Sequence, residues 1–256
     1  METITSRQNA LLSHLRKLGA RRAYREERGE YLCDGAKLLV DALRSGAEVR
    51  AAVFSEGVEA PALPESVRAV RVSGELMRSV SPLETPQGVL FTVAMPRRAL
   101  PERLTGSRYL VLDGVQDPGN LGTILRTADA FFCDGVLLLP GCADVYSPKT
   151  VRATMGAVFR QEVWQVGMEE LCAKLDEAQL PLYGAALRDD TADVRAVDLR
   201  RCAVAVGSEG RGLSEEVLAR CDKTIKIPMR ARCESLNAAV AAAVLLWEMN
   251  RDNPFP

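Results

Sequence analysis

The chain has 256 residues, 47% hydrophobic and 26% charged, which suits a globular protein of one large or two small domains. Its formal net charge of −1 excludes a polycation, although the first 28 residues carry seven Arg or Lys against three acidic residues. The chain has a single histidine, His14, which excludes a His-based triad. Its seven cysteines are scattered and form no C-x-x-C pair, which argues against a disulfide framework and a metal site. We therefore expect a reduced, cytoplasmic setting.

The N-terminal part of the chain is predicted to be a small α/β module. Four leucines, at 11, 12, 15 and 18, share one face of a helix predicted over 6–28. A second helix is predicted over 34–45, with Asp34 at its N-cap and Gly46 just after its end. Strands are predicted at 51–54, 67–72 and 88–95, with a short helix at 75–80. We assign residues 1–95 to this module and the proline- and arginine-containing segment 96–107 to a linker.

Residues 108–256 alternate between strands and helices again. Predicted strands are 109–113, 135–140, 161–166, 182–187, 202–207 and 224–229. Predicted helices are 121–132, 148–158, 168–178, 214–220 and 235–250. Short apolar strands separated by helices predict a mostly parallel sheet covered on both faces. The longest apolar run, 238–247, is too short to cross a bilayer, so we expect no membrane segment.

Three loops follow strands of this sheet and combine small residues with strongly polar ones. They are DGVQDPGN (113–120), GSEGRG (207–212) and PMRARCESLN (228–237). Taken singly, each has a plain explanation: GSEGRG as a turn, Asn120, Glu209, Ser235 or Asn237 as helix caps, Arg126 as a surface arginine paired with an acid. Ligands gather at the carboxyl ends of parallel strands, so three such loops in order favour a site.

Nucleotide-binding loops of the common kinds are absent from the sequence. No G-x-G-x-x-G follows the first strand, and no G-x-x-x-x-G-K-[ST] occurs anywhere. The serine in SEGRG has no histidine with which to complete a hydrolase triad. These absences exclude a dinucleotide-binding fold, a P-loop enzyme and a usual serine hydrolase.

The loops, read with their flanks, resemble the three signature motifs of the SPOUT superfamily, in its SpoU branch of RNA ribose 2′-O-methyltransferases. The stretches are LDGVQDPGNLGTILRTADAF (112–131), VGSEGRGLS (206–214) and IPMRARCESLNAAVA (227–241). YSPKTVRATMGAVFR (146–160) is similar to the segment between the first two motifs. ITSRQNALLSHLRKL (4–18) and GEYLCDGAKLLVDAL (29–43) resemble the family's substrate-binding module, which is related to a ribosomal-protein fold.

The resemblance implies an α/β fold with a deep trefoil knot at 108–256 and a smaller N-terminal α/β module. It also implies S-adenosylmethionine as the cofactor, RNA as the substrate, and a homodimer through the C-terminal domain with the active site near the subunit interface. The implied catalytic residues are Asn120, Arg126, Glu209, Ser235 and Asn237. Cofactor contacts, largely through the backbone, are implied for Leu187, Gly207, Ile227 and Leu236. Phosphate contacts are expected from Arg7, Arg16, Lys17, Arg21, Arg22, Arg25 and Arg28.

The roles of these side chains follow from their chemistry. Arg126 is a poor general base because a guanidinium holds its proton, so we expect it to bind a phosphate beside the target ribose and to stabilise alkoxide charge. Asn120 can orient a hydroxyl, and Glu209 can fix the rotamer of Arg126 or Asn120. The layout favours ribosomal over transfer RNA. Two alternatives stay open: a non-catalytic RNA-binding or ribosome-assembly factor on this scaffold, and a base-methylating SPOUT enzyme.

Overall fold

A computed structural model describes residues 1–96, 99–188, 190–230 and 235–252. The chain divides into two compact units, Met1–Arg97 with Asp144–Phe159, and Arg98–Ala143 with Arg160–Pro256. Residues 144–159, which we expected to belong to the C-terminal domain, therefore pack with the N-terminal module.

The first unit contains a five-stranded sheet with its helices. In chain order its elements are β1 (Glu2–Ile4), α1 (Ala10–Ala20), α2 (Arg22–Arg28), β2 (Glu30–Asp34), α3 (Ala36–Arg44), β3 (Val49–Ser55), β4 (Arg68–Val72), α4 (Gly74–Val80) and β5 (Val89–Ala94). The strand order is β1-β4-β3-β5-β2, with β5 antiparallel to both of its neighbours. The leucines predicted on one helix face, 11, 12, 15 and 18, are all buried in the core of this unit.

Two predictions for this unit are wrong in detail. The helix predicted over 6–28 is two helices, because Arg21 takes an extended backbone conformation (φ −126°, ψ 114°) that ends α1 and begins α2. Asp34 does not cap α3, because it ends β2, whose antiparallel pairing with β5 overrides the local capping signal. Gly46, with φ +70°, does occupy the left-handed position after α3.

The remaining elements belong to the second unit, except for helix α6 (Pro148–Ala153), which belongs to the first unit although it lies between two strands of the second unit in the chain. In chain order the elements are β6 (Arg108–Asp113), α5 (Pro118–Ala130), β7 (Gly135–Leu138), α6, β8 (Val163–Gln165), α7 (Met168–Ala178), β9 (Leu182–Ala185), β10 (Ala192–Asp193), β11 (Cys202–Gly207), α8 (Glu215–Arg220), β12 (Lys223–Lys226) and α9 (Ala238–Met249).

The sheet of the second unit has the order β10-β12-β9-β11-β6-β7-β8, and every strand pair in it is parallel. The predicted α/β class with a mostly parallel sheet is therefore confirmed. β6 and β11 are neighbours in the middle of the sheet, and their last residues, Asp113 and Gly207, are register partners. The loops after these two strands consequently start side by side at the carboxyl edge.

Candidate active site

The loop after β11 is fastened to the end of β6. The Ser214 backbone N–H donates to Asp113 Oδ2 at 2.7 Å. Ser208 and Gly212 exchange two backbone hydrogen bonds, of 3.1 and 2.8 Å, which close residues 208–212 into a tight hairpin. Glu209 and Arg211 are carried on that hairpin, so their backbone positions are fixed relative to β6.

Gly207 is required where the hairpin folds back on β11. A Cβ built on Gly207 would lie 2.1 Å from the carbonyl carbon of Gly212 and 2.4 Å from the nitrogen of Leu213. Because these neighbours are backbone atoms, they cannot move aside as a flexible side chain would.

We therefore expect Gly207→Ala to displace the hairpin. Overpacking of this kind costs about 1–3 kcal/mol of folding stability, measurable by chemical denaturation. It should also weaken binding of the cofactor that the sequence motifs imply, as measured by calorimetric titration. Gly210→Ala is the matched control, because a Cβ there meets no atom within 4 Å. Equal effects of the two substitutions would contradict this reading of the hairpin.

Two helices begin at the same edge of the sheet. Asp117 caps α5 by accepting a hydrogen bond from Asn120 N at 2.8 Å, so Asn120 lies inside the first turn and is not the cap. Asn237 caps α9, accepting from Ala239 N at 3.0 Å and Val240 N at 3.2 Å. Both Asn120 and Asn237 thereby face the hairpin with defined backbone positions.

Asn120, Glu209 and Asn237 form one hydrogen-bonded cluster. Asn120 Nδ2 donates to Glu209 Oε1 at 2.6 Å, and Asn237 Nδ2 donates to the same oxygen at 2.5 Å and to Asn120 Oδ1 at 3.1 Å. Ala238 N, at the start of α9, also points to Glu209 Oε1 at 3.4 Å. The carboxylate is thus held at a helix N-terminus, where the helix dipole favours negative charge.

A cavity of about 270 Å³ lies beside this cluster. The four residues implied as cofactor contacts, Leu187, Gly207, Ile227 and Leu236, all line it, as does Ser235. The rest of the lining consists mainly of small or apolar residues, with Glu209 at its border with the cluster. Such a lining suits a flat apolar ring system held through backbone groups, with a carboxylate near a positively charged centre.

Two of the implied catalytic residues lie outside the cluster. Ser235 lines the cavity and does not cap α9, since Asn237 does. Arg126 is exposed on α5, six residues beyond Asn120, which is about 9 Å along the helix axis. No described residue pairs with Arg126, so the expected link between Glu209 and Arg126 is not formed, whereas the link between Glu209 and Asn120 is.

The seven basic residues of the N-terminal module differ in their surroundings. Arg7 pairs with Glu75 at 2.5 Å and Arg22 with Glu26 at 2.7 Å, both on the surface. Arg16 donates to the Arg7 carbonyl at 2.8 Å. Two cations lie over the Tyr24 ring, Lys17 Nζ at 5.5 Å and Arg28 Cζ at 5.2 Å from its centroid. Within the described chain, the Arg21 guanidinium has no hydrogen-bond or ion-pair partner.

Arg25 is the one member of that set whose surroundings argue against RNA contact. It is only 5% exposed, and its Nη2 lies 2.5 Å from Asp144 Oδ2 while its Nη1 donates to the Leu18 carbonyl. A guanidinium buried and paired in this way cannot reach a phosphate, so Arg25 has a structural role. Its position inside α2, one turn from exposed Arg28, gave no sequence signal of burial.

The described residues show no metal centre and no transmembrane segment. No group of three or more His, Cys, Asp or Glu among them is placed to hold a metal ion. No helix in the described ranges is long and apolar enough to cross a membrane. Burial raises the pKa of Cys133 and of Cys202 to about 12, so both are protonated thiols at neutral pH and not nucleophiles.

Comparison with known proteins identifies the family. Residues 107–247 match the SpoU rRNA Methylase family, and residues 9–90 match an MRM3-like substrate binding domain. The chain belongs to the SpoU rRNA methylase family. The predicted resemblance is thereby confirmed over both parts of the chain.

Relatives in this family match the chain over nearly its whole length. The 23S rRNA (guanosine(2553)-2′-O)-methyltransferase RlmP of Bacillus subtilis is 31% identical over 97% of this chain and 99% of its own. The AdoMet-bound rRNA methyltransferase of Sinorhizobium meliloti superposes with a TM-score of 0.88, at 28% identity over 99% of both chains. AviRb of Streptomyces viridochromogenes, in complex with AdoMet, gives a TM-score of 0.84 at 27% identity, over 95% of this chain and 98% of its own. The SPOUT fold predicted for this chain is therefore confirmed.

Proposed function

We propose that this SpoU chain transfers a methyl group from S-adenosylmethionine to a ribose 2′-hydroxyl of ribosomal RNA. The observation that carries the proposal is the convergence of Asn120, Glu209 and Asn237 at the edge of a cavity lined by Leu187 and Gly207. The RlmP and Sinorhizobium relatives, whose names give rRNA methyltransferase activity, support the same reaction and substrate. The hydrogen-bonded convergence of three polar side chains beside this cavity also argues against a purely structural assembly factor.

Leu187, Gly207, Ile227 and Leu236 would hold the cofactor through their backbone groups and apolar surface. The cofactor supplies an electrophilic methyl group attached to a positively charged sulfur. Glu209, at the border of the cavity, contributes a negative charge that complements that sulfur. Ser235 lines the same cavity and offers a hydroxyl as a further polar contact.

The side chains of the cluster would position the ribose. Glu209 Oε1 receives the donations from Asn120, Asn237 and Ala238, which leaves Oε2 without a donor among the described residues. A 2′-hydroxyl placed there can donate its proton to Oε2 while its lone pair is turned toward the methyl group. Alignment of the reacting atoms contributes up to about 7–11 kcal/mol in the best cases.

We keep for Arg126 the role of a phosphate ligand that stabilises alkoxide charge, although no described residue of the cluster is bonded to it. Its exposed position on α5 fits an active site completed near a subunit interface. Arg126→Lys should lower the methylation rate, because an ammonium lacks the planar fork of donors that a phosphate accepts. Full rate and RNA affinity in that variant would exclude the role.

We further propose that the protein is a homodimer through α9. Val240, Val244 and Trp247 are 49%, 37% and 56% exposed and are spaced to form one apolar stripe. They line a groove between α9 and α5, where Phe131 meets the Trp247 ring edge-on at 5.6 Å between centroids. An exposed apolar stripe of this kind marks a protein interface.

Val244→Asp should therefore convert the protein from dimer to monomer and reduce methylation, because it places a carboxylate in the middle of the stripe. Light scattering coupled to size-exclusion chromatography measures the mass. Glu216→Asp, on the exposed face of α8, is the control and should leave the mass unchanged. A monomeric wild-type protein would exclude the dimer.

The remaining assignments concern the layout and setting. We assign RNA binding to residues 1–95 and methyl transfer to 108–256, joined by a linker at 96–107. Residues 144–159 belong by sequence to the catalytic part, yet pack with the RNA-binding unit. We place the enzyme in the cytoplasm, which the free thiols of the six described cysteines support.

The proposed function is tested with a labelled methyl donor. Total RNA from cells that lack this protein is incubated with the enzyme and S-adenosylmethionine labelled in the methyl group, and the RNA is then fractionated. We expect label in ribosomal RNA and none in transfer RNA. Label in transfer RNA alone would overturn the substrate, and no cofactor binding by calorimetry would favour the assembly-factor alternative.

A further inference from the structure

A second cavity adjoins the Asn120–Glu209 contact. Its volume is about 300 Å³, and it lies between the loop after β6 and the hairpin after β11. Val115 forms an apolar part of its lining, and Gln116 and Arg211 line it together with Asn120 and Glu209. The cavity therefore adjoins the cluster, and it shares Ser208, Glu209 and Ala238 with the lining of the first cavity.

Arg211 is held near this cavity by the geometry of the hairpin. The two backbone hydrogen bonds between Ser208 and Gly212 fix the chain on both sides of it, and Glu209, two residues earlier, is fixed by Asn120 and Asn237. Because this loop is short and closed, the backbone of Arg211 stays close to the cluster.

The Arg211 guanidinium differs from most exposed arginines of this unit. Arg160 pairs with Asp129, Arg195 with Asp193 and Arg200 with Asp198, each at 2.6 Å. No described residue forms an ion pair or side-chain hydrogen bond with Arg211, and the same holds for the Gln116 amide. The lining of the cavity thus includes a guanidinium-bearing residue and an amide-bearing residue whose side chains have no partner among the described residues.

Among the described residues, neither carboxylate that lines the cavity forms an ion pair with Arg211. Asp117 is occupied in capping α5, where it accepts the Asn120 N–H. Glu209 already accepts hydrogen bonds from two side-chain amides. An arginine beside a site for a ribose hydroxyl is placed to receive the nearest group of an RNA chain, which is a phosphate.

We propose that Arg211 and Gln116 form a phosphate subsite that binds the RNA backbone next to the methylated ribose. This inference rests on the proposed function, since the ribose at Asn120 and Glu209 defines which phosphate is meant. Arg211 supplies the charge and a bidentate contact, and Gln116 supplies one neutral donor. The pair positions the substrate and takes no part in proton or methyl transfer.

The test uses the whole chain, the unmethylated form of the ribosomal RNA that the enzyme methylates, and the variants Arg211→Ala, Arg211→Lys and Gln116→Ala. We expect Arg211→Ala to raise the RNA KM about tenfold, as expected when a charge-assisted hydrogen bond is lost, with the S-adenosylmethionine Kd unchanged. The slope of log affinity for RNA against log salt should fall by about one in Arg211→Ala. Arg211→Lys should keep that slope, and Gln116→Ala should weaken binding without altering it.

Arg200→Ala is the matched control, because Arg200 is an exposed arginine of the same unit that is paired with Asp198. An unchanged RNA KM and salt slope in Arg211→Ala, with an active wild-type enzyme, would overturn the subsite. So would an equal loss in Arg200→Ala, since that would indicate general charge attraction. If the wild-type enzyme methylates no RNA, the proposed function fails instead, and the two failures are thereby distinguished.

Discussion

Replacing Glu209 with alanine is expected to lower kcat by about 100-fold, the effect of misplacing a reacting group by roughly 1 Å. One carboxylate oxygen of Glu209 accepts hydrogen bonds from both Asn120 and Asn237. Without it, the two amides lose their shared acceptor and Asn120 is free to rotate away from the ribose. The measurement is a single-turnover methylation assay at saturating RNA and cofactor.

Two further variants separate positioning from folding. Glu209→Gln keeps an acceptor oxygen and should lose less activity than Glu209→Ala, although its amide nitrogen cannot accept a proton. Glu216→Ala removes an exposed glutamate seven residues later and should retain full activity. Because Glu209 is itself exposed, its alanine variant should unfold at the same denaturant concentration as the wild type. A kcat within twofold of the wild type would exclude Glu209 from the catalytic machinery.

The second large effect concerns stability. Arg25→Ala should lower the free energy of unfolding by about 3–5 kcal/mol, because it leaves a largely buried carboxylate without its partner. That carboxylate belongs to Asp144, whose side chain is 15% exposed, against 6% for Arg25. The loss of the hydrogen bond to the Leu18 carbonyl adds to the effect. Urea denaturation followed by circular dichroism measures the change.

Matched variants identify the origin of that loss. Arg22→Ala removes an exposed i,i+4 pair with Glu26 and should cost only about 0.2–0.5 kcal/mol. Replacing both partners with apolar residues, Arg25→Met with Asp144→Leu, should recover most of the stability. If Arg25→Ala left stability intact and weakened RNA binding, Arg25 would be a phosphate ligand after all.

The sequence was sufficient for the architecture of the sheet and for the expectation that the three loops meet at one edge of it. Short apolar runs such as CAVAV and RYLVL are typical of strands in a parallel sheet that is covered on both faces. In the structure these runs are β11 and β6, and most of their residues are buried. The loops after these strands had to emerge at one edge, and the hydrogen bonds among Asn120, Glu209 and Asn237 agree with that expectation.

The features that could not be predicted from the sequence depend mostly on contacts between residues that are far apart in the chain. The burial of Arg25 depends on Asp144, which is 119 residues away. Gly19 stands two residues before the break at Arg21, but the leucine pattern that runs to Leu18 and the polar residues after it concealed the break. β2 was missed because its pairing partner β5 is about sixty residues further along. Arg211 belongs to the GSEGRG motif, but its proposed role in binding a phosphate depends on the hairpin and the adjoining cavity, which only the structure shows.

The central claim is that the Asn120–Glu209–Asn237 cluster presents a ribose hydroxyl, and no base atom, to the methyl donor. The most direct test is mass spectrometry of nucleosides from ribosomal RNA that the enzyme has methylated in vitro. We predict a single 2′-O-methylated nucleoside, whose mass increase of one methyl group stays with the sugar when the glycosidic bond is broken. A methyl group that stays with the base would contradict the account.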